Sequence, residues 1–209
     1  MKTTKLTGKV LFGNILKPRS YNSGLNKFED NPQGDFQLTL IVDQNHKDYL
    51  KFLEDLNARK VEIMASEKYK KLNGVEFSFK DKPHTDKEGA VIEGKRQVTM
   101  KRGGINKNME NVTIDIYNAQ NQPYRPTGEI GYGADVQAIF AIGDTYIASS
   151  KKWYLTMYLF AVLIENEATS SYEFDVKEPV LSTGKDVDWI EKQFDGDKVE
   201  PVNEEKIPF

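Results

Sequence analysis

Lys151-Lys152-Trp153-Tyr154 places two ammonium groups beside two rings at one point of the chain. Cations attract phosphates and flat rings stack on unpaired bases, at roughly 1–3 kcal/mol per stacked base, so this run has the chemistry of a grip on single-stranded nucleic acid. If a strand begins here, Tyr154, Thr156 and Tyr158 share one face, while Leu155, Met157 and Leu159 share the other. The aliphatic face then belongs inside a barrel and the tyrosine face is open to bases. Lys101 and Arg102 before Gly103-Gly104, and Lys95 with Arg96, supply phosphate partners at strand ends. Lys17, Arg19 and Tyr21 in the first loop do likewise. A nucleic-acid reading requires several of these clusters to converge on one face.

Other chemistries compete for the same residues. Asp86 followed by Glu93-Gly94-Lys95 is the sparse signature of a Mg²⁺-dependent nuclease, with two carboxylates on the metal and the lysine beside the attacking water. The surrounding polar stretch lacks the apolar strands that would fix those carboxylates. Gly128-Glu-Ile-Gly131-Tyr-Gly133 has the spacing of a phosphate loop, but a β-type run follows it where a helix is required, so it reads as a tight turn. His46 and His84 are too few and too far apart for a zinc site and read as ordinary surface residues. With no cysteine there is no disulfide, no thiolate zinc site and no thiol nucleophile. No metal or organic cofactor is expected, and a binding protein is favoured over an enzyme. A β-rich virion structural or scaffold protein is a third reading.

The 209 residues suit one domain with extensions. Mean hydropathy of -0.61 and 29% charged residues describe a soluble chain, and no apolar run reaches the ~20 residues of a membrane helix. The beginning lacks a signal segment, so the cytoplasm is the expected location, the host's if the chain is phage-encoded. Net charge is -3, unevenly spread. Residues 186–209 hold eight carboxylates against three lysines, which gives -5 there and leaves +2 for the rest. A basic body with an acidic tail suits a nucleic-acid binder whose tail competes for the basic surface.

The tail closes in Glu204-Glu205-Lys206-Ile207-Pro208-Phe209. Pro208 denies it helix and the acids keep it wet, so Phe209 is offered to a partner's pocket with Glu204 and Glu205 at the rim. The expected division is a domain over 1–185 and a flexible acidic interaction tail over 186–209, with Trp189 and Phe194 anchoring a short segment.

Positioning the clusters falls to a few elements. Lys5 to Leu16 reads as a strand, Lys17 to Gly34 as a loop, and Asp35 to Val42 as a half-exposed strand. Asp43 or Asn45 is placed to cap a helix whose apolar stripe runs through Tyr49, Leu50, Leu53, Leu56, Ile63, Met64 and Leu72 over residues 45–72. Residues 80–94 read as a mobile loop. Lys95–Arg102 and Asn111–Tyr117 read as strands joined at Gly103-Gly104, and Asn118 to Gly133 as a connection. Ala134–Ile142 and Trp153–Ile164 are the longest strands and pair as a hairpin. Mainly β with one long helix matches an OB-fold five-stranded barrel capped by that helix, or an open α+β sheet.

The stretch from Arg125 to Phe140, with Lys152-Trp153 and the strand ending at Val162-Leu-Ile-Glu165, resembles the single-stranded DNA-binding proteins of short-tailed coliphages. The order of strand, Pro/Gly loop, strand and long helix is similar as well, and the Ile-Pro-Phe tip resembles that of bacterial single-stranded DNA-binding proteins. The resemblance implies an OB fold that binds single-stranded DNA without sequence preference during replication, recombination or repair. It implies a homodimer, no membrane association, and a tail that recruits polymerase and helicase-primase. This tail is less acidic than that family's, with Lys198 and Lys206 interrupting it.

Overall fold

The computed structural model describes residues 2–65, 81–147 and 152–167, with backbone alone at 146–147 and 152–153. Among the described residues, eight strands and one helix follow in chain order: β1 (Thr3–Asn22), β2 (Lys27–Asp30), β3 (Asp35–Asp43), α1 (Lys47–Ala65), β4 (Asp81–Thr85), β5 (Val91–Gly103), β6 (Asp115–Asn118), β7 (Asp135–Ile147) and β8 (Lys152–Asn166). β1 pairs antiparallel with β3 and with β7, β3 with β5, and β7 with β8. β5 then meets β8 in parallel through Lys101 and Tyr158, which closes a five-stranded barrel of β1, β3, β5, β8 and β7. This is the OB architecture.

Alternation fills the barrel. Leu6, Val10, Leu38, Leu40, Val98, Met100, Val136, Phe140, Leu155, Met157, Leu159 and Val162 are buried together. The helix closes the barrel with Tyr49, Phe52, Leu56 and Ile63, and the Phe52 ring meets Phe140 edge-on at 5.6 Å between centroids. Arg59 ties the helix to β7 through Asp144 at 2.8 Å, and Asp55 ties it to Lys2 and Thr4 of β1's end at 3.1 Å each. Burial pushes the Asp55 carboxyl up, but the bonds from Lys51, Lys2 and Thr4 outweigh it and hold the group below its usual range. β6 lies parallel to the outer end of β8, where Tyr117, Ile139, Ala161 and Leu163 form a second, smaller core.

Several expectations are corrected. The stretch from Lys17 to Gly34 is no simple loop: β1 runs on to Asn22 and pairs with β2 as a hairpin. Its turn contains Asn26 at φ 50, a conformation that Asn tolerates. Residues 81–94 form a second hairpin of β4 and β5, because the Asp86 Oδ1 accepts the backbone N–H groups of Glu88 and Ala90 at 2.9 and 2.8 Å and so builds the turn. The helix cap is His46, whose Nδ1 accepts the Asp48 N–H at 3.2 Å; Asp43 instead bonds the Asn45 N–H one turn earlier. The buried helix face is Tyr49, Phe52, Leu56 and Ile63, whereas Leu50, Leu53 and Met64 are exposed. Residues 105–114 are loop, and the strand after them pairs with β8, not with β5. The proposed extension of the helix to Leu72 falls outside the described residues.

Candidate nucleic-acid interface

The barrel seam brings together residues far apart in sequence. Lys101 and Tyr158 are register partners across β5 and β8. Both project from the outer side, since Met100 and Met157 beside them are buried. The Tyr158 hydroxyl shares a 3.0 Å hydrogen bond with Thr145 Oγ1, which also meets Thr156 Oγ1 at 3.2 Å. Its ring lies on Gly143 of β7, where an added Cβ would sit 2.4 Å from Cε2. Glycine there is a steric requirement for the ring's flat position. Tyr154, opposite Thr145 in register, is half-buried on the same face. Phe160 is the extra residue where the β7–β8 register slips between Phe140 and Ile139, and its ring carries the Arg102 guanidinium 4.4 Å above the centroid.

The β1–β2 hairpin supplies a second group of rings. Arg19 faces Asp30 and Tyr21 faces Phe28 in register, so these four side chains share one hairpin face. Phe12, Tyr21 and Phe28 are 41%, 53% and 54% exposed, and the Phe28 ring pairs with both others, its centroid 6.4 Å from that of Phe12 and 5.4 Å from that of Tyr21. Asp30 holds Lys17 Nζ on Oδ2 and Arg19 Nε on Oδ1, both at 3.0 Å. Lys17 and Arg19 lower the Asp30 carboxyl below its ordinary range. Arg19 is also the register partner of Asp35, whose carboxylate takes Lys101 Nζ at 3.0 Å. Rings and cations therefore continue from the hairpin across β1, β3 and β5 to Tyr158 on β8. In OB folds this side, with the loop between the first two barrel strands and that between the last two, is the oligonucleotide face.

The same fold occurs in known phage proteins. Over 96% of this chain and 98% of the other, the structure superposes on gp2.5, a single-stranded DNA binding protein encoded by bacteriophage T7, with a TM-score of 0.61 and 13% identity. The single-stranded DNA-binding protein from bacteriophage Enc34, in complex with ssDNA, matches 79% of this chain and 87% of its own at a TM-score of 0.52 and 14% identity. No family model and no curated protein sequence matches. The likeness to gp2.5 and the Enc34 protein is one of fold, carried by the barrel and not by identity.

On the gp2.5-like barrel the expected contact residues divide. Lys101, Arg102, Tyr154, Tyr158, Arg19 and Tyr21 gather along the seam and hairpin. Lys95 and Arg96 stand at the far end of β5, where Lys95 bonds Asp43 and Arg96 bonds Asp81, each at 2.9 Å. Lys151 lies outside the described residues, as do Glu204, Glu205, Ile207, Pro208 and Phe209; Lys152 and Trp153 are placed by backbone only, as the first two residues of β8. The nuclease set is dispersed in its commitments: Asp86 builds a turn, Lys95 is held by Asp43, and Glu93 is exposed on β5. Among the described residues no group of three His, Asp or Glu side chains is placed to share a metal ion. His84 is buried, not superficial, and its Nδ1 lies 2.8 Å from Gln97 Nε2; burial lowers its pKa, with Asp86 opposing.

Sequence reasoning missed Phe12 and Phe28 as contact candidates. The available signal was Asn22-Ser-Gly-Leu-Asn26, a hairpin turn with Tyr21 and Phe28 close on either side. Nothing local marks Phe12, which faces outward only because the β1–β3 register shifts between Val10 and Phe12.

Proposed function

We propose that this chain binds single-stranded DNA without reading its sequence and acts in phage DNA replication or recombination as a binding protein, not an enzyme. The observation that carries this reading is the register pairing of Lys101 with Tyr158 at the barrel seam, continuous with the exposed rings of Phe12, Tyr21 and Phe28. A phosphate partner beside a flat ring is the repeating unit that an unpaired strand requires, and none of these groups reads base edges. The folds of gp2.5 and of the Enc34 protein, both described as single-stranded DNA-binding, support it. Lys151, Lys152 and Trp153 are included among the contacts on their residue types alone, two ammonium groups beside two rings in Lys151-Lys152-Trp153-Tyr154.

In this reading residues 1–185 form the binding domain and residues 186–209 an acidic interaction tail. Glu204, Glu205, Ile207, Pro208 and Phe209 recruit polymerase or helicase-primase, and the protein works as a homodimer in the host cytoplasm. No described helix is long and apolar enough to cross a membrane.

The test is a fluorescence titration with oligo-dT at two salt concentrations, against a duplex of equal length. Tight oligo-dT binding with a weaker duplex supports the assignment, and no binding at low salt overturns it. Deleting residues 195–209 is expected to tighten DNA binding and abolish enzyme recruitment; unchanged affinity with undiminished recruitment rejects the role given to the tail.

A further inference from the structure

The cations of this face are already engaged. Lys17 and Arg19 share Asp30, and Lys101 holds Asp35. Asp30 and Asp35 are both register partners of Arg19, one across β1–β2 and the other across β1–β3, so carboxylates and cations alternate across the path of a strand. Both acids are about half exposed, at 49% and 48%. They are therefore not buried structural anchors, and a phosphate can reach the same cations. The hairpin's other acid, Glu29, sits with Lys27 on the opposite hairpin face, away from the rings.

Resting on the single-strand reading, we infer that Asp30 and Asp35 are specificity-determining residues, internal anions that occupy the phosphate positions and make base stacking the condition for binding. A duplex offers dense phosphates but no unstacked base for Phe12, Phe28 or Tyr158. It must displace the two carboxylates with charge alone. A single strand displaces them while gaining the stacking, which at several rings outweighs the loss of three exposed ion pairs. The acids lower affinity for every polyanion, and their net effect is to favour single strands.

The experiment compares wild type, Asp30→Asn, Asp35→Asn and the double variant, with Glu29→Gln as a control of equal charge change. Each is titrated with oligo-dT and with duplex over a salt series. Each removed carboxylate leaves one more net positive charge, and each such charge that takes a phosphate steepens the slope of log K on log salt by about 0.7 for a single strand and about 0.9 for a duplex. Near 0.1 M salt the double variant then gains roughly 25-fold for oligo-dT and roughly 60-fold for duplex, so its preference narrows two- to threefold. Glu29→Gln stays near wild type.

Unchanged slopes in both single variants overturn the inference, as does weaker binding, which would make the acids positioning groups for the cations. An equal gain in Glu29→Gln would reduce the effect to net charge and overturn it too. If wild type itself does not bind oligo-dT, the parent reading fails; if wild type binds and the variants match it, only this inference fails.

Discussion

Strand β5 carries a lysine-arginine pair twice, Lys95-Arg96 and Lys101-Arg102, and the two pairs live in different surroundings. They lie about 20 Å apart along the strand. At the first, Arg96 bonds an Asp81 whose side chain is 5% exposed and which also accepts the Tyr49 hydroxyl at 2.8 Å. That network fastens β4 and the helix to the barrel. At the second, Lys101 holds the half-exposed Asp35, and Arg102 lies over the Phe160 ring. The difference is in the partner, not in the cation. A buried carboxylate cannot be exchanged without stranding a charge, whereas an exposed one trades places with a phosphate at little cost. The same two residue types therefore make a fastener at one end of β5 and, at the other, the exchangeable surface to which the single-strand proposal assigns phosphate contacts.

The sharpest way to break this contrast is to truncate one arginine and one lysine. Arg96→Ala leaves Asp81 buried without its cation and is expected to cost roughly 3 kcal/mol of stability. Lys101→Ala is expected to cost under about 1 kcal/mol. Urea unfolding of both variants measures the gap, and equal losses would erase the distinction. In DNA titrations the order reverses: Lys101→Ala should flatten the salt slope by about 0.7, because one phosphate contact disappears.

The rings come next in size. Tyr158→Ala and Phe28→Ala should each weaken oligo-dT binding by about 1–3 kcal/mol, with the salt slope unchanged. A slope that moves with either variant would mean that the ring positions a cation and does not stack. Gly143→Ala tests the same surface without touching a ring. Its methyl carbon would lie 2.4 Å from Tyr158 Cε2, so the ring must lift from the sheet. A loss of affinity smaller than that of Tyr158→Ala is expected, and wild-type affinity would remove Tyr158's flat position from the account.

How much of this was legible in the sequence follows from which signals are local. The alternation in Leu155–Leu159 predicts an inward aliphatic and an outward tyrosine face, and Leu155, Met157 and Leu159 are buried as that period demands. The β7–β8 hairpin is equally legible, since both strands are long and adjacent. The site's convergence is not. Lys101 meets Tyr158 through a parallel contact between strands that the β6 segment and β7 separate, and no period in the chain encodes it. Phe12 escapes for a related reason, because a register shift turns it outward in a stretch that otherwise reads as core. The leucines of the helix mislead for a different reason. Leu50 and Leu53 fit a 3.6 period as well as Phe52 does, and only the barrel below decides which arc is covered. His84 reads as a surface residue because its neighbours are polar, but the β4–β5 hairpin folds it against Gln97.

The smallest expected effect sharpens the fastener end of β5. Burial, with Asp81 adding to it, pushes the Tyr49 hydroxyl from 10.0 up to about 12. A folded-state pKa above the unfolded one means that the contribution is complete below about pH 10 and is lost as pH rises toward about 12. In that window the unfolded chain has released a proton that the folded chain still holds, so stability falls with pH. The loss attributable to Tyr49 is about 1 kcal/mol near pH 11. Tyr49→Phe removes both the hydroxyl bond and its titration. The variant should be less stable than wild type at neutral pH, and the gap should narrow between about pH 10 and 12. Alkaline unfolding curves of the two proteins decide it. A gap that stays constant across that range would show Tyr49 ionising as it does in the unfolded chain, and Arg96 would then fasten Asp81 without the helix's help.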